Sequence, residues 1–161
     1  MKKVLSLKRL LGELEKLRRE GRKVVFTNGC FDIIHAGHVR YLKKARSLGD
    51  VLVVGLNSDA SVRGIKGETR PIVPQRERAE VLSALEAVDY VVVFNDATPE
   101  RLIEAIRPDV LAKGADWAAR DIVGARAVKE AGGRVARVTL AKGKSTTNII
   151  KKILTIHNIR H

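Results

Sequence analysis

Two histidines, His35 and His38, lie three residues apart where the sequence changes from a strand pattern to a helix pattern. Residues three or four positions apart share one face of a helix, so both imidazoles can face the same bound group. Gly37 between them has no Cβ, which allows a phosphate or a flat ligand to approach the backbone closely. Imidazole N–H donors directed at an α-phosphate would stabilise the charge that develops when its phosphorus is attacked, and neither histidine would act as a nucleophile.

Two other interpretations of this histidine pair are open at this point. The first is that both side chains form hydrogen bonds near a helix cap and have no catalytic role. The second is a metal site, but helical zinc pairs are spaced His-x-x-x-His, and no third ligand is obvious near His35 and His38. We therefore predict no metal-ligating residues.

The elements that position the histidines are a strand, a glycine turn and a helix. The β-branched and aromatic run Val24 to Thr27 predicts a buried strand over 23–27, and Asn28-Gly29 predicts its end. Apolar spacing from Ala36 predicts a helix over 36–48. Such a junction brings free backbone N–H groups and the positive end of a helix dipole to one place, which suits a phosphate.

The rest of the chain alternates between helix and strand patterns with short connections. The patterns predict an N-terminal helix over 6–20 capped by Ser6 and strands over 51–56, 90–94, 110–112 and 135–140. They also predict a polar loop over 57–73, helices over 74–87 and 121–131, and a short helix with Thr98 as its cap and Pro99 at its first position. The last helix is predicted to have the buried stripe Ile149, Ile150, Ile153 and Leu154. In the helix over 74–87, Pro74 is predicted in the first turn, with Val81, Leu82 and Leu85 facing inward. This alternation predicts a doubly wound, Rossmann-like α/β fold with a parallel five-stranded sheet. We expect a single domain over 1–161 with a core at about 22–154.

Further candidate residues occur in loops at the predicted carboxyl edge of the sheet. Ser145, Thr146 and Thr147 precede the last helix, where hydroxyls and free N–H groups suit phosphate oxygens, although simple capping is the competing interpretation. Lys66 lies in a loop that could close over β- and γ-phosphates, or it could be a solvated loop lysine. Arg78 begins the buried face of the predicted helix over 74–87, from which it could reach an anion; a surface salt bridge is the competing interpretation.

The segment after the fourth predicted strand carries a third group of candidates. Gly114 follows Lys113 and allows close approach of a ligand, and Asp116 could accept a hydrogen bond from a ribose or sugar hydroxyl. Trp117 could belong to the same candidate site, but it is equally well explained as a packing residue.

The bulk composition limits the classes of partner. The chain has 161 residues and a formal net charge of +13, but only 4% aromatic residues, which leaves few platforms for stacking on single-stranded nucleic acid. No apolar run approaches the length of a membrane span, and the lone Cys30 is consistent with a reducing cytoplasm. We expect a cytoplasmic protein that binds neither membranes nor nucleic acid; a basic RNA-binding module is the remote alternative.

The lead-in Gly29-Cys30-Phe31-Asp32, followed by His35-Ala36-Gly37-His38, resembles the nucleotidylyltransferase superfamily with the His-x-Gly-His signature. Ser145-Thr146-Thr147 resembles the second signature of that superfamily, which binds the triphosphate. The arginine and Gly-Ile that precede this signature in the cytidylyltransferase branch are replaced by Lys142-Gly143-Lys144. This departure argues against the cytidylyltransferase branch.

Several further motifs resemble the adenylyltransferase family that makes ADP-heptose for bacterial lipopolysaccharide, over about residues 5–153. These motifs are Asn57-Ser58-Asp59-Ala60-Ser61, Lys66-Gly67-x-x-Arg70-Pro71, Val81-Leu82-x-Ala84-Leu85, Thr98-Pro99, Lys113-Gly114-x-Asp116 and Ser145 to Lys152. The resemblance implies AMP transfer from ATP to D-glycero-β-D-manno-heptose 1-phosphate, with Mg²⁺ and with release of pyrophosphate. A sister reaction with GTP or CTP and another sugar or alcohol phosphate is the alternative.

The resemblance also implies roles for individual residues. His35, His38 and Lys66 would be catalytic, and the nucleotide and its phosphates would be bound by Thr27, Asn28, Gly29, Phe31, Asp32, Gly37, Arg78, Lys113, Gly114, Asp116, Ser145, Thr146 and Thr147. Many relatives are fused to a sugar kinase, whereas this sequence shows no kinase domain. We therefore expect a free-standing enzyme supplied by a separate heptose 7-phosphate kinase. We also expect a homodimer, to which an exposed leucine-rich first helix could contribute.

Overall fold

Five short runs rich in β-branched residues form one sheet in the computed structural model, which describes residues 2–115, 122–139 and 145–157. The strands are β1 (Val24–Gly29), β2 (Val51–Asn57), β3 (Tyr90–Phe94), β4 (Val110–Gly114) and β5 (Arg134–Val138). Their order in the sheet is β3-β2-β1-β4-β5, and every pair is parallel. The predicted doubly wound, Rossmann-like sheet is confirmed.

Helices connect these strands and cover both faces of the sheet. They are α1 (Leu7–Arg19), α2 (Ala36–Arg46), α3 (Asp59–Lys66), α4 (Gln75–Ala84), α5 (Glu100–Ile106), α6 (Ala125–Glu130) and α7 (Thr146–Ile156). The buried apolar residues form two clusters: one includes Leu42, Leu82 and Val110, and the other includes Leu10, Leu14 and Ile103. Because both faces are covered, every residue of the inner strand β2 is buried.

The strand order reverses at β1, which pairs with β2 on one side and β4 on the other. In an open parallel sheet this reversal leaves a crevice beyond the carboxyl ends of the strands, because the connecting segments diverge to opposite faces. A short segment connects the carboxyl end of β1 to the first turn of α2, so the fold brings the His-x-Gly-His segment to this crevice.

The predicted end of the first strand at Asn28-Gly29 is wrong. Both residues continue β1 and pair in register with β2, Asn28 opposite Gly55 and Gly29 opposite Leu56. The ladder to β2 overrides the local turn preference of this dipeptide. As a result, the strand carries Asn28 up to the crevice.

The predicted polar loop over 57–73 is also wrong in part, because it contains α3. Ser58 caps this helix, and its side chain accepts a hydrogen bond from the backbone N–H of Ser61 at 3.1 Å. Only Ser61 and Val62 of α3 are buried, and its eight residues are fewer than the window of about 11 to 18 residues in which a helical period is recognised.

Three details of the predicted helices differ from the structure. Pro74 is the N-cap of α4 and lies outside the helix. Val81 of α4 was predicted to face inward but is 44% exposed. Helix α5 has Pro99 as its N-cap with no side-chain cap, so Thr98 does not have the predicted capping role.

The apolar residues of the first and last helices are placed opposite to expectation. Leu10 and Leu14 of α1 are fully buried against the sheet, so the leucine stripe of this helix is not an exposed surface for a dimer. No residue of α7 is buried, and Ile153 is 48% exposed. The predicted buried stripe of the last helix is therefore wrong: within the described chain Ile149, Ile150 and Leu154 are only partly buried. None of the described helices is long and apolar enough to cross a membrane.

Candidate active site

A cavity of about 630 Å³ lies at the carboxyl ends of β1, β2 and β4. Its lining includes the ends of these strands, the first turns of α2 and α7, and the last turn of α3. The predicted site residues that line it are Asn28, Gly29, Phe31, Asp32, His35, Gly37, His38, Lys66, Lys113, Gly114, Ser145, Thr146 and Thr147. The topology thus brings together residues from four separate parts of the sequence.

His35 and His38 lie side by side at the start of α2. His35 is the N-cap, and its Nδ1 accepts a hydrogen bond from the backbone N–H of Gly37 at 3.1 Å. The two imidazole rings are stacked, with centroids 3.9 Å apart and planes at 21°, and the Phe31 ring packs against His38 at a tilted 59°. Both histidines are therefore held in fixed orientations at the cavity wall.

His38 is a neutral imidazole at physiological pH. Burial lowers its pKa to about 4, the neighbouring His35 acts in the same direction, and the backbone of Ile33 opposes the shift. Nδ1 of His38 is buried and makes no well-formed hydrogen bond to a described residue. A neutral ring can donate one N–H to a phosphate oxygen but has no net charge to contribute.

The first turn of α7 is the second helix start at the cavity. The Ser145 side chain accepts a hydrogen bond from the backbone N–H of Asn148 at 3.1 Å, so it is the N-cap. Thr146 Oγ1 donates to the Ile33 carbonyl at 3.3 Å, which connects α7 to the segment before His35. Capping and cavity lining coexist here, because the same turn presents its hydroxyls and backbone to the cavity.

Lys113 lies at the end of β4 with its ammonium group largely withdrawn from solvent. Burial lowers its pKa to about 8. Lys113 Nζ donates a hydrogen bond to Asn28 Oδ1 on the neighbouring strand β1. The amide of Asn28 therefore positions a cation between the β1 and β4 sides of the cavity.

Lys66 is the last residue of α3 and is exposed. Gly67 follows it at a φ of 94°, a conformation that favours glycine and that ends the helix there. Within the described chain, no hydrogen bond or ion pair restrains the Lys66 ammonium, which lines the cavity.

Two predicted ligand-binding residues lie behind the cavity wall. The Thr27 side chain is fully buried, and its hydroxyl is 2.8 Å from the Tyr41 hydroxyl, which donates to the Ala112 carbonyl. Arg78 is 1% exposed and donates to the carbonyls of Val73, Cys30 and Asn57. Neither residue is in the cavity lining, so the structure gives both of them a supporting position.

Arg78 also forms an ion pair with Asp59 at 2.7 Å. The sequence left two interpretations of Arg78 open, an anion ligand and a surface salt bridge, and the structure shows a third arrangement. The guanidinium is buried and joins the segments that follow β1 and β2. The apolar spacing of α4 placed Arg78 on the buried face, but it could not identify backbone carbonyls as the acceptors.

The structure does not describe every candidate residue, and it adds lining residues that the sequence did not predict. Asp116 and Trp117 lie outside the described residues. The cavity lining that the sequence did not identify consists of Cys30, Tyr41, Asn57, Ile65, Arg70, Ala97, Thr98, Pro99, Ile122 and Val123. For Arg70 a signal was present, since it follows Lys66 by four residues in the loop after β2; the apolar residues have no comparable signature.

Residues 26–152 match the model of the cytidylyltransferase-like family. The chain is 56% identical over 152 residues to the bifunctional protein HldE of Geobacter metallireducens and 57% identical over 145 residues to that of Pelobacter propionicus. These alignments cover 94% and 90% of this chain but 31% and 29% of the relatives. The chain therefore spans less than a third of the length of the curated relatives it matches.

Two solved structures share the fold. The lipopolysaccharide core biosynthesis protein from Thermoplasma volcanium superposes with a TM-score of 0.64 at 28% identity, covering 77% of this chain and all of that protein. Pantothenate synthetase from Thermus thermophilus has a TM-score of 0.61 at 18% identity, covering 91% of this chain and 67% of that protein, and supports the fold alone. With the His-x-Gly-His cavity at the sheet switch point and a family match over most of its length, the chain belongs to the cytidylyltransferase-like family.

Proposed function

We propose that the chain transfers AMP from ATP to D-glycero-β-D-manno-heptose 1-phosphate and produces ADP-heptose and pyrophosphate. Two kinds of evidence support this substrate pair. The sequence motifs resemble the ADP-heptose branch along nearly the whole chain, and the relatives named HldE share more than half of the aligned residues. The solved Thermoplasma structure carries a name from lipopolysaccharide core biosynthesis.

The observation that carries the proposal is the stacked His35–His38 pair at a cavity where two helices begin. Helix starts offer free backbone N–H groups and a positive dipole end, both suited to a polyphosphate. The rigid imidazoles add N–H donors that do not need to reorganise during the reaction. This combination favours nucleotidyl transfer over a simple binding role.

In the proposed reaction, a phosphate oxygen of the sugar phosphate attacks the α-phosphorus of ATP in line. The bond from the α-phosphorus to the oxygen that bridges it to the β-phosphorus breaks, and pyrophosphate leaves with that oxygen. No covalent enzyme intermediate forms, so the protein contributes positioning and charge stabilisation. We assign His35 and His38 to the α-phosphate, where charge develops in the transition state.

The remaining polar residues of the lining would hold the two substrates. Ser145, Thr146 and Thr147 would bind the β- and γ-phosphates through hydroxyls and the start of α7. Lys66, which is exposed and unrestrained, would close onto these phosphates and neutralise the pyrophosphate as it leaves. Lys113 and Gly114 would face the nucleotide from the β4 side.

Mg²⁺ is expected with ATP, but the described residues do not provide a site for it. Residues 2–115, 122–139 and 145–157 contain no group of three His, Cys, Asp or Glu side chains that could hold a metal. Asp32, the nearest candidate, has both carboxylate oxygens engaged by protein donors. We therefore expect the ion to arrive with the triphosphate, coordinated by phosphate oxygens and water.

The test is a substrate panel with product identification. ATP, GTP, CTP and UTP are each combined with the α- and β-anomers of the heptose 1-phosphate, and pyrophosphate release is measured with Mg²⁺. We expect release with ATP and the β-anomer, and ADP-heptose as the product by mass spectrometry. A preference for GTP and the α-anomer would keep the mechanism but contradict the substrate assignment.

The family description favours a second candidate, a sister enzyme that uses CTP. CTP-dependent release with a sugar or alcohol phosphate would establish it. The same panel therefore includes glycerol 3-phosphate as an acceptor. Salt-sensitive RNA binding without nucleotidyl transfer would instead indicate the remote RNA-binding alternative.

We also propose that a separate kinase phosphorylates heptose 7-phosphate at position 1 and that a phosphatase then hydrolyses the 7-phosphate to give the acceptor; the aligned relatives are named as bifunctional, which is consistent with a second activity acting on the same sugar. A homodimer and a cytoplasmic location remain predictions from the sequence. The leucines at the centre of α1 do not support the homodimer, because Leu10 and Leu14 are buried.

A further inference from the structure

Asp32 is a buried carboxylate whose hydrogen bonds are all to protein groups. Its side chain is 1% exposed. Oδ1 accepts hydrogen bonds from the backbone N–H groups of Ile72 and Val73, each at 2.9 Å, and Oδ2 accepts from Arg70 Nε at 2.6 Å. Asp32 therefore anchors the 70–73 segment to the end of β1 and has no free oxygen for a substrate.

The backbone before Asp32 is bent to make this contact. Phe31 has a φ of 43°, in the left-handed region that aromatic residues rarely adopt. Such a conformation is unfavourable for a residue with a side chain and is retained where the surrounding structure requires it. The hydrogen bonds at Asp32 are one compensating interaction, since they fix the residue that directly follows the bend.

Asp32 exists as the carboxylate at neutral pH. Burial alone would raise its pKa, but the N–H donors of Val73 and Ile72 and the guanidinium of Arg70 outweigh burial, so the pKa is lowered. A charged acceptor forms stronger and more directional hydrogen bonds than a neutral one. The position of Arg70 is therefore held by a charge-assisted contact.

Arg70 lines the cavity with only part of its guanidinium engaged. Nε and Nη2 both lie 2.6 Å from Asp32 Oδ2, and the side chain is 17% exposed. Nη1 has no hydrogen-bond partner in the described part of the chain. A planar guanidinium that is fixed on one edge presents its free edge in a defined direction.

Cations dominate the electrostatic environment at this wall. Burial raises the pKa of the Cys30 thiol, while Lys66, Arg78 and Arg70 oppose that shift and Asp32 adds to it. Three cations and one anion thus act on the same thiol. Arg78 is buried outside the cavity lining, whereas Lys66 and Arg70 line the cavity, so Lys66 and Arg70 are the cations that a ligand can reach.

We propose that Arg70 binds a phosphate group of the substrates through its Nη1 edge, and that Asp32 is the positioning residue that orients the guanidinium. This inference rests on the proposed nucleotidyl transfer and adds a binding residue that the sequence motifs did not assign. The phosphate belongs either to the acceptor or to the pyrophosphate moiety of ATP. Preorganisation by Asp32 lowers the entropy cost of the contact, which a free lysine at this position would incur in full.

The test uses four variants: Arg70→Gln, Arg70→Lys, Asp32→Asn and, as the matched control, Arg63→Gln. Arg63 is an exposed arginine on α3 that does not line the cavity, so its variant removes the same charge from a nearby surface. Binding of inorganic pyrophosphate and of heptose 1-phosphate is measured by calorimetry, and KM is measured for each substrate. Thermal unfolding of every variant is recorded alongside.

We expect Arg70→Gln to weaken binding of one of the two phosphate ligands by about 10- to 100-fold, with a matching rise in one KM. Arg70→Lys retains the charge but loses the planar guanidinium, so it should weaken binding of the same ligand by a smaller factor. Asp32→Asn should also weaken binding of that ligand. Arg63→Gln should bind both ligands as the wild type does. The ligand affected identifies whether the contact is with the acceptor or with pyrophosphate.

Wild-type binding of both ligands and unchanged KM values in Arg70→Gln and Arg70→Lys would overturn the proposal, even if the melting temperature fell. Arg70 would then be only a structural partner of Asp32. The wild type could bind pyrophosphate more tightly than the Arg70 variants and yet transfer no nucleotide. This result would contradict the proposed function and leave the assignment of Arg70 intact.

Discussion

In the reaction we propose, His38 acts as a neutral donor, because burial and the adjacent His35 both disfavour its protonation. The stacked arrangement with His35 suits donation of an N–H to a substrate oxygen and not the formation of a covalent phosphohistidine. We therefore assign to this residue the stabilisation of charge on the α-phosphate. Contacts with the rings of Phe31 and His35 hold the imidazole in place.

Substitution of His38 tests this role. His38→Ala should lower kcat by about 10²- to 10³-fold, because it removes a preorganised donor to the transition state. His38→Asn retains a donor near the same place and should recover part of the loss. Turnover equal to wild type in a folded His38→Ala protein, checked by circular dichroism, is incompatible with the mechanism.

The pKa of Lys113 predicts a pH dependence on the alkaline side. The pKa of its ammonium group is lowered to about 8, so the group is charged below that value and loses its proton above it. Binding that uses its charge should weaken as the pH rises from 7.5 to 9.5, measured as kcat/KM for ATP. Lys113→Arg retains its charge over this range and should show a flatter profile.

At the scale of elements, the start of α7 combines a structural cap with a binding surface. Ser145→Ala removes the N-cap, which costs on the order of 1 kcal/mol of helix stability, and also removes a hydroxyl from the cavity. We expect KM for ATP to rise several-fold, on the order of the loss of one hydrogen bond.

Ser6→Ala provides the matched control for this cap. Ser6 is the N-cap of α1 and accepts a hydrogen bond from the backbone N–H of Arg9 at 3.4 Å, but it lies outside the cavity lining. This variant should lose stability without a change in KM. Equal KM values for the two variants would show that the Ser145 hydroxyl contributes only to folding.

Two glycines, one in strand β2 and one in helix α3, should respond in opposite ways to substitution by alanine. A Cβ added at Gly55 of β2 would lie 2.8 Å from the Phe26 ring and 3.2 Å from Asn28 Cβ, so Gly55→Ala should destabilise the fold by about 1–3 kcal/mol. Gly64 of α3 has no atom within 4 Å of an added Cβ, and Gly64→Ala should stabilise the helix by up to about 1 kcal/mol. Chemical denaturation measures both, and a stable Gly55→Ala protein would contradict the packing described for this strand.

The elements that the sequence predicted well are those whose apolar pattern reflects burial. The strands at 51–56 and 90–94 were recognisable because both faces of the sheet are covered. Helix α3 was missed because its eight residues bury only two side chains, and α7 was misjudged because periodicity shows an apolar face without showing whether anything covers it.

The site could be predicted where its chemistry is local in the sequence. His35, Gly37 and His38 form one short motif, whereas the position of Arg78 depends on the carbonyls of Cys30, Asn57 and Val73, which meet only in the folded chain. The same holds for the contact between Asp32 and Arg70, which are 38 residues apart.

At the scale of the whole molecule, the order of the strands is consistent with the proposal that one cavity holds two substrates. The switch at β1 places α3 and the 70–73 segment on the β2 side and Lys113 with the start of α7 on the β4 side. The histidine pair follows the central strand, between these two sides. The reacting phosphate would therefore lie where the two substrates meet.

The most direct test of AMP transfer is to follow labelled phosphorus from ATP. ATP labelled at the α-phosphate and ATP labelled at the γ-phosphate are incubated separately with the chain, Mg²⁺ and the β-anomer of heptose 1-phosphate. We predict that the α-label appears in ADP-heptose and the γ-label in pyrophosphate. Transfer of the γ-label to the sugar, or retention of both labels in ATP by a folded protein, would contradict nucleotidyl transfer at this cavity.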